Sequence, residues 1–131
     1  MTLEALVGVW STAGRTRDGA EIRATDTYEW LPGRAALLHR VDGRVGIIGW
    51  DPAQDAYVAQ YFGSGGAWRY EAWFRELGGV TVWRMCSGRD RFMGAISDDG
   101  ATIEGHWERH DADHGWLPWM DVTLTRAAAA P

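Results

Sequence analysis

Apolar and polar side chains alternate with a period of two along almost the whole chain, and Gly-, Asp- or Pro-rich turn signals interrupt them about every ten residues. A chain written this way folds into strands joined by short turns. The pattern predicts ten strands, over 7–13, 21–30, 35–41, 44–50, 56–62, 67–75, 80–86, 90–96, 102–109 and 116–126. A short helical turn is expected over 2–6, and the tail over 127–131 is expected to fray. Asp42-Gly43 is a strong hairpin signal, because a glycine after aspartate accepts positive φ.

Short connections favour antiparallel neighbours. One open sheet of this width would leave two edges free to aggregate. Closure removes both edges. The expected fold is therefore a single all-β domain over 1–131, a closed antiparallel up-and-down β-barrel. A two-sheet sandwich competes, but its Greek-key connections need longer crossovers than this chain offers.

Charge narrows the partners. The 131 residues carry 13 basic and 18 acidic side chains, a net charge of −5, and every basic residue is arginine. That balance argues against phosphate-backbone binding and against anionic membrane surfaces. One cysteine, Cys86, excludes an internal disulfide and a cysteine-rich zinc site. No apolar run reaches the ~20 residues of a spanning helix. The start Met1-Thr2-Leu3-Glu4 lacks the basic and apolar stretches of a signal peptide, so a cytoplasmic location is expected.

Nine tryptophans in so short a chain point either to a heavily aromatic core or to an aromatic-lined cavity. Trp10 is expected to close the barrel base with Leu3 and Leu6. Leu6-Val7-Gly8-Val9-Trp10 resembles the Gly-x-Trp signature on the first strand of lipocalin-like (calycin) proteins. Gly46-Ile47-Ile48-Gly49-Trp50-Asp51-Pro52, followed by Ala56-Tyr57-Val58, is similar to an uncharacterised bacterial branch of that superfamily. The resemblance implies a closed barrel around a cavity for a small, largely apolar molecule. It carries no activity with it. A related branch binds haem through an extended Gly-x-Trp-x-Gly-x-Gly start, but here Thr12 stands where the second glycine belongs.

Alternation sorts each strand into two faces. The inward sets include Ile22, Ala24, Asp26, Tyr28 and Trp30; Leu37, His39 and Val41; Trp68, Tyr70, Ala72 and Phe74; Ile103, Gly105, Trp107 and Arg109; and Trp116, Pro118, Met120, Val122 and Leu124. The fourth strand is ambiguous. The seventh offers either Val80, Val82 and Arg84 or Thr81, Trp83 and Met85. Four polar intruders emerge on apolar faces: Asp26, His39, Arg84 and Arg109. A charge in a dry core costs several kcal/mol unless paired, so these groups must meet each other, a ligand or water. Tyr28, Tyr57, Tyr61 and Tyr70 can add hydroxyl donors.

Two readings follow. One is a barrel that binds a small hydrophobic or aromatic molecule through Tyr28, Trp30, Trp68, Tyr70, Phe74, Trp107, Arg109 and Met120. The other is a cofactor-independent isomerase or cyclase in the same cavity, with Asp26, His39 and Arg84 as its polar machinery. A haem or metal protein is a third class. His106, His110 and His114 would share one face of a helix, whereas strand spacing puts His106, Glu108 and His110 together, a set that can bind zinc. That face looks outward and reads as a solvated surface, so no metal or cofactor is expected. Nucleophile elbows and phosphate loops are absent from the sequence. Gly63-Ser64-Gly65-Gly66 could gate one barrel mouth. Outward Trp50, Trp73 and Trp119 would suggest a homodimer patch.

Overall fold

Each predicted strand forms, and each pairs with its sequence neighbours. In the computed structural model, which describes residues 3–127, the strands are β1 (Gly8–Thr16), β2 (Glu21–Trp30), β3 (Ala36–Val41), β4 (Arg44–Asp51), β5 (Ala56–Gly63), β6 (Gly66–Leu77), β7 (Val80–Cys86), β8 (Asp90–Ile96), β9 (Thr102–Asp111) and β10 (Gly115–Arg126). All pairings are antiparallel, and β10 returns to β1 to close the barrel. Closure is what the hairpin-rich sequence demands: with β10 on β1, neither end of the strand order is left as a free sheet edge. The sandwich alternative falls away. A 3-10 turn over Leu3–Leu6 precedes β1, matching the expected helical turn from its second residue on. Of the tail expected to fray over 127–131, Ala127 is held, its backbone N–H donating to the Val9 carbonyl at 2.8 Å; the rest lies outside the described residues. No helix among the described residues is long and apolar enough to cross a membrane.

The two ends of the barrel differ. The hairpins β1–β2, β3–β4, β5–β6, β7–β8 and β9–β10 lie at one end, and the 3-10 turn plugs the other. Leu3 and Leu6 are buried under Trp10, whose indole nitrogen donates to the Leu6 carbonyl at 2.9 Å. Arg126 locks this plug. Its guanidinium lies 4.2 Å over the Trp10 ring and donates to the carbonyls of Val7, Ala5 and Gly100. Gly8 has φ of 135°, and a Cβ there would collide with the Arg126 guanidinium. The Gly-x-Trp start is thus a packing requirement: glycine for the backbone and the arginine, tryptophan for the floor.

Alternation assigns most faces correctly. β4 turns Gly46 and Ile48 inward and leaves Val45, Ile47 and Trp50 exposed. β7 turns Trp83 and Met85 inward. β10 departs from simple alternation, because its pairing with β9 shifts register between Pro118 and Met120. Proline cannot donate to a ladder and commonly accompanies such bulges. The slip leaves Pro118 exposed and brings Trp119 to the cavity, correcting both expectations.

Candidate functional site

A cavity of about 320 Å³ lies above the Trp10 floor and opens at the hairpin end. Its wall includes Tyr28, Tyr61, Tyr70, Trp83, Phe92 and Trp107, with Met85 and Met120 filling between rings. Tyr28, Tyr61, Tyr70 and Trp83 are all buried. The Trp83 indole nitrogen finds no acceptor among the described residues.

One row of residues crosses five strands and sets the polar centre of this wall. Tyr28 on β2 is opposite His39 on β3, His39 is opposite Gly46 on β4, Gly46 is opposite Tyr61 on β5, and Tyr61 is opposite Trp68 on β6. Gly46 is the gap in the row. A Cβ there would run into the Tyr61 ring, so only glycine lets that ring lean over β4 toward His39. The Tyr61 hydroxyl then lies 2.8 Å from His39 Nδ1. Tyr28 stacks on the imidazole from the other side, 4.0 Å between centroids and 8° from parallel.

The second imidazole nitrogen points to Asp26, with His39 Nε2 2.7 Å from Oδ1. The Thr12 hydroxyl donates to the other carboxylate oxygen. These partners define a consistent proton arrangement for a neutral ring. Nε2–H donates to Asp26, and Nδ1 accepts from the Tyr61 hydroxyl. Asp26 and His39 are each 7 % exposed, so both polar residues the sequence placed inside are inside and meet each other. Burial holds the phenols of Tyr28, Tyr61 and Tyr70 well above their ordinary range, and the Asp26 charge pushes the first two further the same way. All three therefore act as neutral hydroxyls at physiological pH.

A second carboxylate lies nearer the mouth. Asp90 is 4 % exposed, and its Oδ1 accepts from the Ser87 hydroxyl at 3.1 Å. Alternation could have found it, since Asp90 shares its face with Phe92 at the start of β8. Thr12 was equally legible, two residues along β1 from Trp10. Three arginines, Arg44, Arg89 and Arg109, complete the cavity lining, all exposed at the rim. Arg109 lies flat on Trp119, its guanidinium 3.5 Å from the ring centroid, with its head out of the dry interior.

Three expected site residues are elsewhere. Arg84 is exposed on the outer face of β7, because Trp83 and Met85 take the inward positions. Trp30 belongs to the closed end, where its indole nitrogen donates to Glu4 Oε2 at 2.7 Å and Arg34 covers its ring. Phe74 faces inward but packs behind the cavity wall, stacked on Trp83 and edge-on to Tyr57. Tyr28, Trp68, Tyr70, Trp107, Arg109 and Met120 line the cavity as expected.

The histidines do not suit haem. Both ring nitrogens of His39 are engaged, and His106, His110 and His114 are exposed on the outside. His106 pairs with Asp121 at 2.6 Å, and no group of three or more His, Cys, Asp or Glu side chains among the described residues could hold a metal ion.

No known family's sequence profile matches the chain, and no curated protein matches it. Among solved structures, the chain is similar to Rv2717c from M. tuberculosis, with a TM-score of 0.56 at 10% identity over 96% of this chain and 95% of that one. That likeness shows a shared barrel fold and nothing of ligand or activity. Looser superpositions reach zebrafish ileal bile acid-binding protein complexed with cholic acid (TM-score 0.44, 11% identity, 94% and 99% covered) and a designed fluorescence-activating β-barrel (TM-score 0.43, 17% identity, 97% and 100% covered). Neither adds to the fold assignment.

Proposed function

We propose that this protein binds a small, largely apolar molecule in the barrel cavity. The observation that carries the reading is the cavity itself: about 320 Å³, open at one end, walled by aromatic rings and methionines with a few convergent polar groups. A core filled solid by its own side chains would leave no such space. Tryptophans in the wall make binding directly observable. Titration with a panel of flat apolar compounds is expected to quench intrinsic fluorescence saturably. A panel with no quenching member overturns the reading.

A second reading rests on the Asp26–His39–Tyr61 chain. Here the site acts as a cofactor-independent isomerase or cyclase. A substrate proton passes to the Tyr61 oxygen as the phenol proton moves to His39 Nδ1, and Asp26 stabilises the resulting imidazolium. Return of the two protons delivers one to a different substrate atom and restores Tyr61. Incubating a captured ligand with the protein in deuterated water tests this. Deuterium appears in the ligand with the wild type and is lost in His39→Ala; no exchange in the wild type rejects the catalytic reading and leaves binding intact.

A further inference from the structure

Resting on the binding reading above, we propose that the ligand is an organic acid, seated with its apolar ring inside the chamber and its anionic group at the rim against Arg109. The charged side chains of the cavity wall are three arginines and two aspartates, an excess of positive charge in a chain whose net charge is −5. Both aspartates are already engaged: Asp26 by Thr12 and His39, Asp90 by Ser87 and, at 3.9 Å, by Arg89. Neither Arg109 nor Arg44 has a carboxylate within ion-pair distance among the described residues.

Arg109 is also held in a receptive pose. Its guanidinium face rests on the Trp119 indole, and that contact uses the flat face while leaving the N–H edge free to grip a carboxylate. On the neighbouring β7–β8 turn the Arg89 guanidinium lies 5.6 Å from the Trp68 ring centroid. Asp90 is opposite Arg109 in the β8–β9 register, but its oxygens are held by other partners. Around the ten-strand ring, β4 and β9 are five strands apart in either direction, so Arg44 faces Arg109 across the mouth.

The opposite orientation is disfavoured. Deep in the chamber an anion would meet the Asp26 carboxylate and a wall of rings, with no cation to receive it. Head-out binding puts charge with charge and ring with rings.

The test compares 2-naphthoate with its neutral amide, 2-naphthamide, by calorimetric or fluorescence titration of the full chain. The acid is expected to bind about tenfold more tightly. Raising the ionic strength shrinks that ratio. Arg109→Gln, an exposed substitution whose folding circular dichroism verifies, brings the two affinities within about twofold of each other. Equal binding of acid and amide to the wild type overturns the anion proposal while the cavity reading stands. An acid preference unmoved by Arg109→Gln overturns the assigned rim. Binding of neither compound overturns both the rim and the cavity.

Discussion

Gly46 lies directly beneath the Tyr61 ring, so close that the ring leaves no room for a methyl group on it. The contact is what lets a tyrosine on β5 reach a histidine on β3 across the strand between them. Gly46→Ala is therefore expected to push Tyr61 off His39 and to destabilise the barrel by about 1–3 kcal/mol, the usual range for overpacking a filled site. Urea denaturation measures the loss. A variant as stable as wild type would show that the ring swings away freely.

Asp26→Asn preserves shape but removes the charge that His39 Nε2 and the Thr12 hydroxyl both face. Loss of a buried charge-assisted network is expected to cost about 1–3 kcal/mol. A midpoint shift in urea without a change of slope is the signature to look for.

Arg126→Ala strips three carbonyl partners and the cover of Trp10 in one step. The expected destabilisation is about 2–4 kcal/mol, since lost packing adds to lost hydrogen bonds. Hydrogen exchange should show the 3-10 turn over Leu3–Leu6 opening before the strands do. Uniform loosening of the whole barrel would argue that the plug and the wall are one cooperative unit.

Alkali should unfold the protein by a predictable route. The folded phenols of Tyr28, Tyr61 and Tyr70 ionise well above 10.0, chiefly through burial, whereas in the unfolded chain they titrate near that value. Below pH 10 both states hold the phenol protons, and their contribution to stability is complete. Above it the unfolded state sheds protons that the folded state retains, so stability falls by up to about 1.4 kcal/mol per pH unit for each such phenol. The decline continues until the folded phenols titrate. Tyrosinate absorbance in native and urea-unfolded protein checks the difference; identical titration curves would contradict it.

Much of this architecture is legible in the alternation alone. Strand number and closure follow from hairpin spacing, and the burial of Asp26 and His39 follows from sharing a face with Tyr28 and Leu37. What alternation cannot show is where it fails. The slip at Pro118 reverses the Trp119 assignment, and β7 offers two faces of equal appearance until its register sets Trp83 opposite Phe74 on β6 and Gly94 on β8. Nor does a strand reading supply cross-strand geometry. That Gly46 is the hole Tyr61 fills depends on register across three strands, although the glycine itself belongs to the motif that first marked β4. The rim arginines are half legible: alternation places Arg109 on the inner face, but only the fold shows it resting on Trp119 rather than buried. Trp50 and Trp73 are exposed as expected, at 51% and 46%.

The plug of Leu3, Leu6 and Trp10 under Arg126 makes the chamber a blind alley. A guest must leave through the doorway by which it arrived, and a second molecule cannot displace it from behind. Exchange of one occupant for another therefore waits on departure of the first. Residence time should depend on the five hairpins around the doorway and remain indifferent to the concentration of a competitor.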